Sequence, residues 1–141
     1  GDGPLRDVIE NQIRELNLEK SVMLLGMRND VPSLLNALDI FILPSKSEGL
    51  GIVLIEAQCN GLQCVVSDKV PEEPNILGKI SYLSLERTAA DWANEVYRIT
   101  TSGNRDRSVD METVRKAGYD IEIESKKLQD FYLKKVEETL R

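Results

Sequence analysis

The sequence predicts a single α/β domain, in which a parallel sheet is covered by helices on both faces. Short, mostly apolar runs occur at residues 22–25, 40–43, 64–67 and 80–84. Uninterrupted apolar runs of this length are typical of strands buried on both faces of a parallel sheet. Segments with apolar residues at three- and four-residue steps, typical of amphipathic helices, alternate with these runs. A chain of 141 residues is long enough to form one such domain with its own core.

The first half of the chain supplies three helices and two strands. Strand 22–25 ends before Gly26, and strand 40–43 is stopped by Pro44. A short helix is predicted over 31–37, and a further helix over 52–60 is ended by Gly61 in the usual capping position. The first helix of the chain is marked by an apolar stripe at helical spacing, which consists of Leu5, Val8, Ile9, Ile13 and Leu16.

The second half supplies two strands and then becomes helical. Strands 64–67 and 80–84 are followed by predicted helices over 88–99 and 106–117. A last helix is predicted over 123–140 from a stripe that consists of Leu128, Phe131 or Tyr132, Val136 and Leu140. A parallel sheet needs crossover connections, and the predicted helices 31–37 and 52–60 supply them between the first three strands.

Composition excludes several classes of function. The formal net charge is −6, which argues against a nucleic-acid partner because such a partner requires a basic surface. The absence of histidine excludes Ser-His and Cys-His catalytic pairs and histidine zinc sites. Cys59 and Cys64 lie in apolar surroundings, so we expect both to be free thiols packed in the core. Two unpaired cysteines fit a reducing, cytoplasmic compartment.

The loop between strand 40–43 and helix 52–60 predicts a ligand site. In open α/β sheets, ligands bind beyond the carboxyl ends of the strands, where loops lead into helix N-termini. Gly49 and Gly51 would let the backbone approach a ligand closely, and the free N–H groups at the helix start favour an anion such as phosphate. A glycine-x-glycine pair alone is weak evidence, since the complete dinucleotide and P-loop patterns are absent.

Glu56 is the unusual residue of helix 52–60, because its neighbours are almost all apolar and we expect the helix to be buried. A buried carboxylate needs hydrogen-bond donors. A ribose diol attached to a phosphate at the helix start would reach it, about 6 Å along the axis. Two structural interpretations stay open: Glu48 caps the helix, or Glu56 pairs with a lysine.

The same segment resembles the signature of retaining, GT-B-fold glycosyltransferases of family 4. In that family, two glutamates separated by seven residues follow a strand that ends in Pro-Ser. Here the pattern reads Pro44-Ser45, then Glu48-Gly49-Leu50-Gly51, then Glu56-Ala57. Residues 25–31 look like the loop after the preceding strand, and residues 67–73 look like the branch that makes bacterial capsular polysaccharide and exopolysaccharide. The resemblance covers the whole chain, 1–141.

The resemblance implies a Rossmann-like domain, part of a GT-B C-terminal domain, that binds a nucleoside diphosphate sugar, most often a UDP-sugar. Glu48 would be the catalytic residue and contact hydroxyls of the donor sugar. Gly49, Leu50 and Gly51 would offer backbone N–H groups to the sugar and diphosphate, and Glu56 would hold the ribose diol. Gly26, Met27 and Arg28 would lie along the nucleobase. No cofactor and no metal ion are implied.

The resemblance also implies parts that the sequence does not supply. The acceptor-binding N-terminal domain, two central strands and a basic loop that clamps the diphosphate are not found, and Arg28 and Lys46 are the cations nearest the proposed site. We therefore expect the intact enzyme to transfer a sugar in surface polysaccharide synthesis, and this chain alone to be inactive. The family allows peripheral association of the intact enzyme with the inner face of the cell membrane.

Two other functions stay open at this point: a non-catalytic nucleotide-binding or structural remnant, and a sugar-nucleotide epimerase of the same fold. The missing strands also make a structural prediction. An edge of buried, unpaired backbone groups costs about 1–3 kcal/mol per group. We therefore expect strand 22–25 to pair directly with strand 40–43, or another chain or residues preceding the first one to fill the gap.

Overall fold

The structure is a computed structural model that describes residues 2–102 and 106–139. The chain divides into two compact units, Gly1–Leu34 and Leu35–Arg141. The proposed sugar and ribose contacts belong to the second unit, and the proposed nucleobase contacts belong to the first.

The first unit contains helix α1, Arg6–Glu15, which confirms the first predicted helix. Its N-terminal turn is held by Arg6, which pairs with Asp2 at 2.5 Å and with Glu10 at 2.9 Å. None of its residues is buried, and the apolar stripe faces solvent; Val8 is 59% exposed. Helix α2, Val31–Ala37, has the predicted bounds and continues into the second unit.

The predicted strand at residues 22–25 is wrong. No strand is formed there, and the backbone N–H of Val22 bonds to the Leu18 carbonyl in a turn. The apolar side chains of this run are largely exposed, as Met23 shows at 79%. An apolar run becomes a strand only where a neighbouring strand completes its backbone hydrogen bonds. The direct pairing of this run with residues 40–43 is therefore wrong as well.

The sheet of the second unit has three parallel strands in the order β1-β2-β3 within the described residues. They are β1 (Ile40–Leu43), β2 (Gln63–Ser67) and β3 (Ile80–Leu83), which confirms three of the four predicted strands. The outer edge of β1 has no strand partner in the described part of the chain. Strand β1 is only partly buried, with Ile42 44% exposed. The two other ways of covering this edge, by another chain or by residues preceding the first one, stay predictions.

Four more helices complete the unit: α3 (Ile52–Cys59), α4 (Ala89–Thr101), α5 (Met111–Lys116) and α6 (Ile121–Thr139). Helices α3 and α4 both contact the central strand β2. The core lies between these elements and consists of Leu35, Leu54, Ala57, Leu62, Cys64, Val66 and Val70. The predicted class, a Rossmann-like parallel α/β sheet with flanking helices, is confirmed.

Several helix boundaries differ from the prediction by one residue or more, and the largest difference, at the start of α5, comes from local hydrogen bonds. Helix α5 begins five residues later than predicted, since the Asp110 carboxylate caps it by accepting from the backbone N–H groups of Glu112 and Thr113. Helix α6 begins at Ile121, and its predicted stripe is exposed rather than buried; Leu128 is 56% exposed. The stripe's last predicted member, Leu140, lies outside the described residues.

Both cysteines are free, as predicted. Cys64 is fully buried in the core, and burial raises the pKa of its thiol to about 12. Cys59 is half-buried at the end of α3, where burial and the Glu56 carboxylate raise the pKa of its thiol.

Candidate functional site

The predicted site loop lies at the carboxyl ends of two neighbouring strands. Residues 44–51 connect β1 to α3, and β1 ends beside β2, with Leu43 aligned to Val66. This is the place where ligands bind in open α/β sheets. The loop is largely exposed, so its backbone is available to a ligand.

The two loop glycines have different structural roles. Gly51 precedes α3 with a φ of 68°, in the left-handed region, and a Cβ there would meet Leu54 Cδ1 at 3.3 Å. This conformation favours glycine. Gly49 has no positive φ, and a Cβ there would meet nothing within 4 Å. The fold therefore requires glycine at position 51 but not at position 49. The remaining reason for a glycine at position 49 is the space that it leaves for a close ligand.

Glu48 is held by a serine and does not cap the helix. Its Oε1 accepts a hydrogen bond from Ser45 Oγ at 2.5 Å, and no side chain caps the start of α3. The Ser45 carbonyl in turn accepts a hydrogen bond from Ser67 Oγ, at the end of β2. Within the described residues Glu48 forms no ion pair, so its charge is available to a ligand. The interpretation of Glu48 as a helix cap is wrong.

Glu56 is exposed, which corrects the expectation that it is buried. Residues four apart share a helix face, and Glu56 lies one turn after Ile52, which is 62% exposed. Within the described part of the chain no lysine or arginine pairs with Glu56, so the second structural interpretation is also wrong. An exposed carboxylate one turn into α3 can accept two hydroxyls of a ligand without a burial cost.

The buried polar residue of α3 is Gln58, which the sequence reasoning did not identify. Its side chain is fully buried, and Nε2 donates to the carbonyl oxygens of Leu54 at 3.0 Å and Pro74 at 2.6 Å. Its Oε1 accepts from the Leu77 N–H at 3.1 Å. Gln58 therefore ties α3 to the segment after β2. The nearly continuous apolar pattern of this helix held no signal that distinguished Gln58 from Glu56 as the inward-facing residue.

The three residues expected along a nucleobase lie in the first unit. Gly26 has a φ of 65°, and Asp2 accepts a hydrogen bond from the Met27 N–H at 3.1 Å, which fixes this loop. Met27 is 83% exposed. Arg28 forms a two-point ion pair with Asp30, at 2.7 and 2.6 Å, and this carboxylate raises the pKa of the guanidinium.

Neither a metal cluster nor a spanning helix is found among residues 2–102 and 106–139. No three His, Cys, Asp or Glu side chains there are grouped so as to hold a metal ion. In the same residues, none of the helices combines the length and the apolar character needed to cross a bilayer.

The comparisons with known proteins agree with one another. The family model described as "Glycosyl transferases group 1" matches residues 1–113. EpsF of Bacillus subtilis (strain 168), whose name describes it as a glycosyltransferase, is 39% identical over 121 residues, which are 85% of this chain and 32% of that protein. A UDP-Gal:alpha-D-GlcNAc-diphosphoundecaprenol alpha-1,3-galactosyltransferase of Escherichia coli is 48% identical over 69 residues, which are 48% of this chain and 18% of that protein.

A third relative, the N-acetyl-alpha-D-glucosaminyl L-malate synthase of Bacillus anthracis, is 37% identical over 65 residues, 46% of this chain and 17% of that protein. The chain thus spans about a third or less of the length of these three relatives. Because the family model covers most of the chain, this protein belongs to the glycosyl transferases group 1.

Proposed function

We propose that this chain is the donor-binding part of a retaining, GT-B-type glycosyltransferase of family 4. The intact enzyme would transfer a sugar from a nucleoside diphosphate sugar, most often a UDP-sugar, to a saccharide or lipid-linked acceptor in surface polysaccharide synthesis. In that reaction, the bond between the anomeric carbon and the diphosphate oxygen breaks. An acceptor hydroxyl oxygen forms the new bond to that carbon and gives up its proton, and the nucleoside diphosphate leaves with the electron pair of the broken bond.

One observation carries the proposal: two carboxylates without ion pairs flank an uncapped helix start at the carboxyl end of β1. Glu48 lies in the loop before α3, and Glu56 lies one turn into the helix. Uncapped backbone N–H groups at a helix start attract a phosphate, and carboxylates accept hydroxyl protons of sugars. A hydroxyl-binding carboxylate on each side of an anion site matches the donor, in which the diphosphate lies between the sugar and the ribose.

The roles follow from this order. Glu48 contacts hydroxyls of the donor sugar and is the proposed catalytic residue, while the backbone of Gly49, Leu50 and Gly51 faces the sugar and diphosphate. Glu56 accepts the two ribose hydroxyls. In the first unit, the loop of Gly26, Met27 and Arg28 is proposed to lie along the base.

The remaining machinery is proposed to lie outside this chain, in the part of the relatives' length that it does not span. This part would hold the acceptor domain and the cationic groups that balance the diphosphate, because Arg28 is already neutralised by Asp30. We propose a cytoplasmic location, with the intact enzyme peripheral at the inner face of the membrane. The names of the relatives favour a transferase over an epimerase or a non-catalytic remnant.

The experiment is a titration of the ¹⁵N-labelled chain with UDP and with UDP-galactose, in the presence of EDTA. We expect binding in the millimolar range, with chemical-shift changes at residues 49–52. Glu56→Ala should weaken the binding by about 1–3 kcal/mol, because the charged hydrogen bonds to ribose are lost. The matched control is Glu137→Ala, which removes another exposed glutamate in α6. If Glu56→Ala and Glu137→Ala bind as the unchanged chain does, the assignment is wrong.

A further inference from the structure

The carboxylate of Glu48 is connected to the sheet by two serine side chains. Ser45 Oγ donates to Glu48 Oε1 at 2.5 Å. Ser67 Oγ donates to the carbonyl oxygen of Ser45, and it accepts the backbone N–H of Lys69 at 3.3 Å. Hydrogen bonds therefore link Glu48 to Ser45, and Ser45 to Ser67 at the end of the neighbouring strand.

These hydrogen bonds start at a buried residue of the central strand. Ser67 is fully buried and is the last residue of the central strand β2, where it aligns with Leu83 of β3. The next residue, Asp68, continues the hydrogen bonding to β3 through the Leu83 carbonyl at 2.9 Å. A buried hydroxyl needs a hydrogen-bond partner, and the partner that Ser67 donates to is the Ser45 carbonyl oxygen, which is thereby tied to the end of β2.

The last group in this series of hydrogen bonds is the carboxylate of Glu48, the proposed catalytic residue. Glu48 is half-buried, and Ser45 Oγ is its single side-chain hydrogen-bond partner among the described residues. An ionised carboxylate has about four acceptor sites, so one serine bond orients the group and leaves the others for sugar hydroxyls. Without that bond, the glutamate regains rotamer freedom in an exposed loop.

We propose that Ser45 is a positioning residue for Glu48, and that Ser67 holds Ser45 in place. This inference rests on the proposed function, because Glu48 contacts the donor sugar only under that proposal. Neither serine touches the donor. Both set where the carboxylate stands when the sugar arrives.

The first measurement needs no ligand. Three-bond couplings to Cγ report the χ1 rotamer of Glu48 in the labelled chain. We expect one rotamer in the unchanged chain, averaged couplings in Ser45→Ala and in Ser67→Ala, and one rotamer again in Ser45→Thr, which keeps a hydroxyl. Ser47→Ala is the matched control, because Ser47 is exposed in the same loop and forms no hydrogen bond in the described part of the chain.

The second measurement compares UDP with UDP-galactose. We expect Ser45→Ala to lose the chemical-shift changes that galactose adds, while its affinity for UDP changes by less than about twofold, as for a residue that acts only at the sugar. Ser45→Thr should recover those changes. A loss of UDP affinity equal to the loss for UDP-galactose would indicate general damage to the loop and would overturn the inference.

The outcomes separate the two proposals. If the unchanged chain binds neither ligand, the proposed function fails, and the couplings still decide whether Ser45 positions Glu48. If the ligands bind but Glu48 keeps one rotamer in Ser45→Ala, the inference is overturned and the function stands. Thermal unfolding shows whether the Ser67→Ala variant is folded. If it is not, Ser67→Thr replaces it. For Ser67→Thr we expect a single Glu48 rotamer and the same galactose-dependent chemical-shift changes as in the unchanged chain.

Discussion

Replacement of Gln58 by leucine should destabilise the second unit more than any other single change in α3 that preserves volume. The glutamine is fully buried and makes three hydrogen bonds, to the Leu54 and Pro74 carbonyls and from the Leu77 N–H. Leucine fills the space but pairs with none of these groups. The Pro74 carbonyl and the Leu77 N–H then lose their partner, at about 1–3 kcal/mol each, and apolar burial of the new side chain offsets part of this loss. We expect a net loss of about 3 kcal/mol.

The assay is urea unfolding followed by the fluorescence of Trp92, the single tryptophan. With a slope of about 1.5 kcal/mol per molar urea, the midpoint should fall by about 2 M. Gln129→Leu is the control, because Gln129 is exposed on α6 and its replacement should leave the midpoint unchanged. A Gln58→Leu midpoint within about 0.3 M of the unchanged chain would refute the reasoning, since the buried groups would then have found other partners.

Three further predictions concern the loop, a helix cap and a thiol. Gly51→Ala should cost about 1 kcal/mol because its φ is 68°, while Gly49→Ala should be neutral; equal urea midpoints for the two would contradict this. Thr88→Ala should cost about 1 kcal/mol because it removes the capping box of α4, and Thr88→Ser should restore the midpoint. The pKa of Cys64 is raised to about 12, so the folded state keeps the thiol proton that the unfolded state loses near pH 9. Stability should therefore fall as the pH rises from 9 to 12, and less steeply in Cys64→Ala; identical pH profiles would contradict the assignment.

The sequence was sufficient for elements whose hydrogen bonds are local or whose partners follow along the chain. Helix α2 and strand β1 have the predicted bounds, and Pro44 ends the apolar run of β1 sharply. The run at residues 22–25 has the composition of a strand, but no strand among the described residues pairs with it, and composition carries no information about partners. The Asp110 cap shows the same limit at a helix end, where one side chain decides the first residue.

The loop and helix of the candidate site form where the sequence predicts them, while the burial of Glu56 was predicted wrongly. Helix α3 is apolar on nearly every face, so the pattern does not tell which side packs on the sheet. We expected Glu56 inside, and the structure has Gln58 inside and Glu56 outside. The hydrogen bonds that link Glu48 to Ser45 and Ser67 were not predictable from the sequence. Ser45 and Ser67 are 22 residues apart, and they meet only because two strands end side by side.

The division of α3 into two faces has a consequence for how such a site can diverge. Ile52 and Glu56 face solvent, so substitutions there meet no packing constraint, and affinity for a different ligand can be selected at little cost in stability. Leu54 and Gln58, on the opposite side of the same two turns, are fully buried and admit few replacements. One short helix therefore separates exposed residues, among them the proposed ribose ligand Glu56, from the buried residues that the fold must keep. New specificities can arise here without compensating changes in the core.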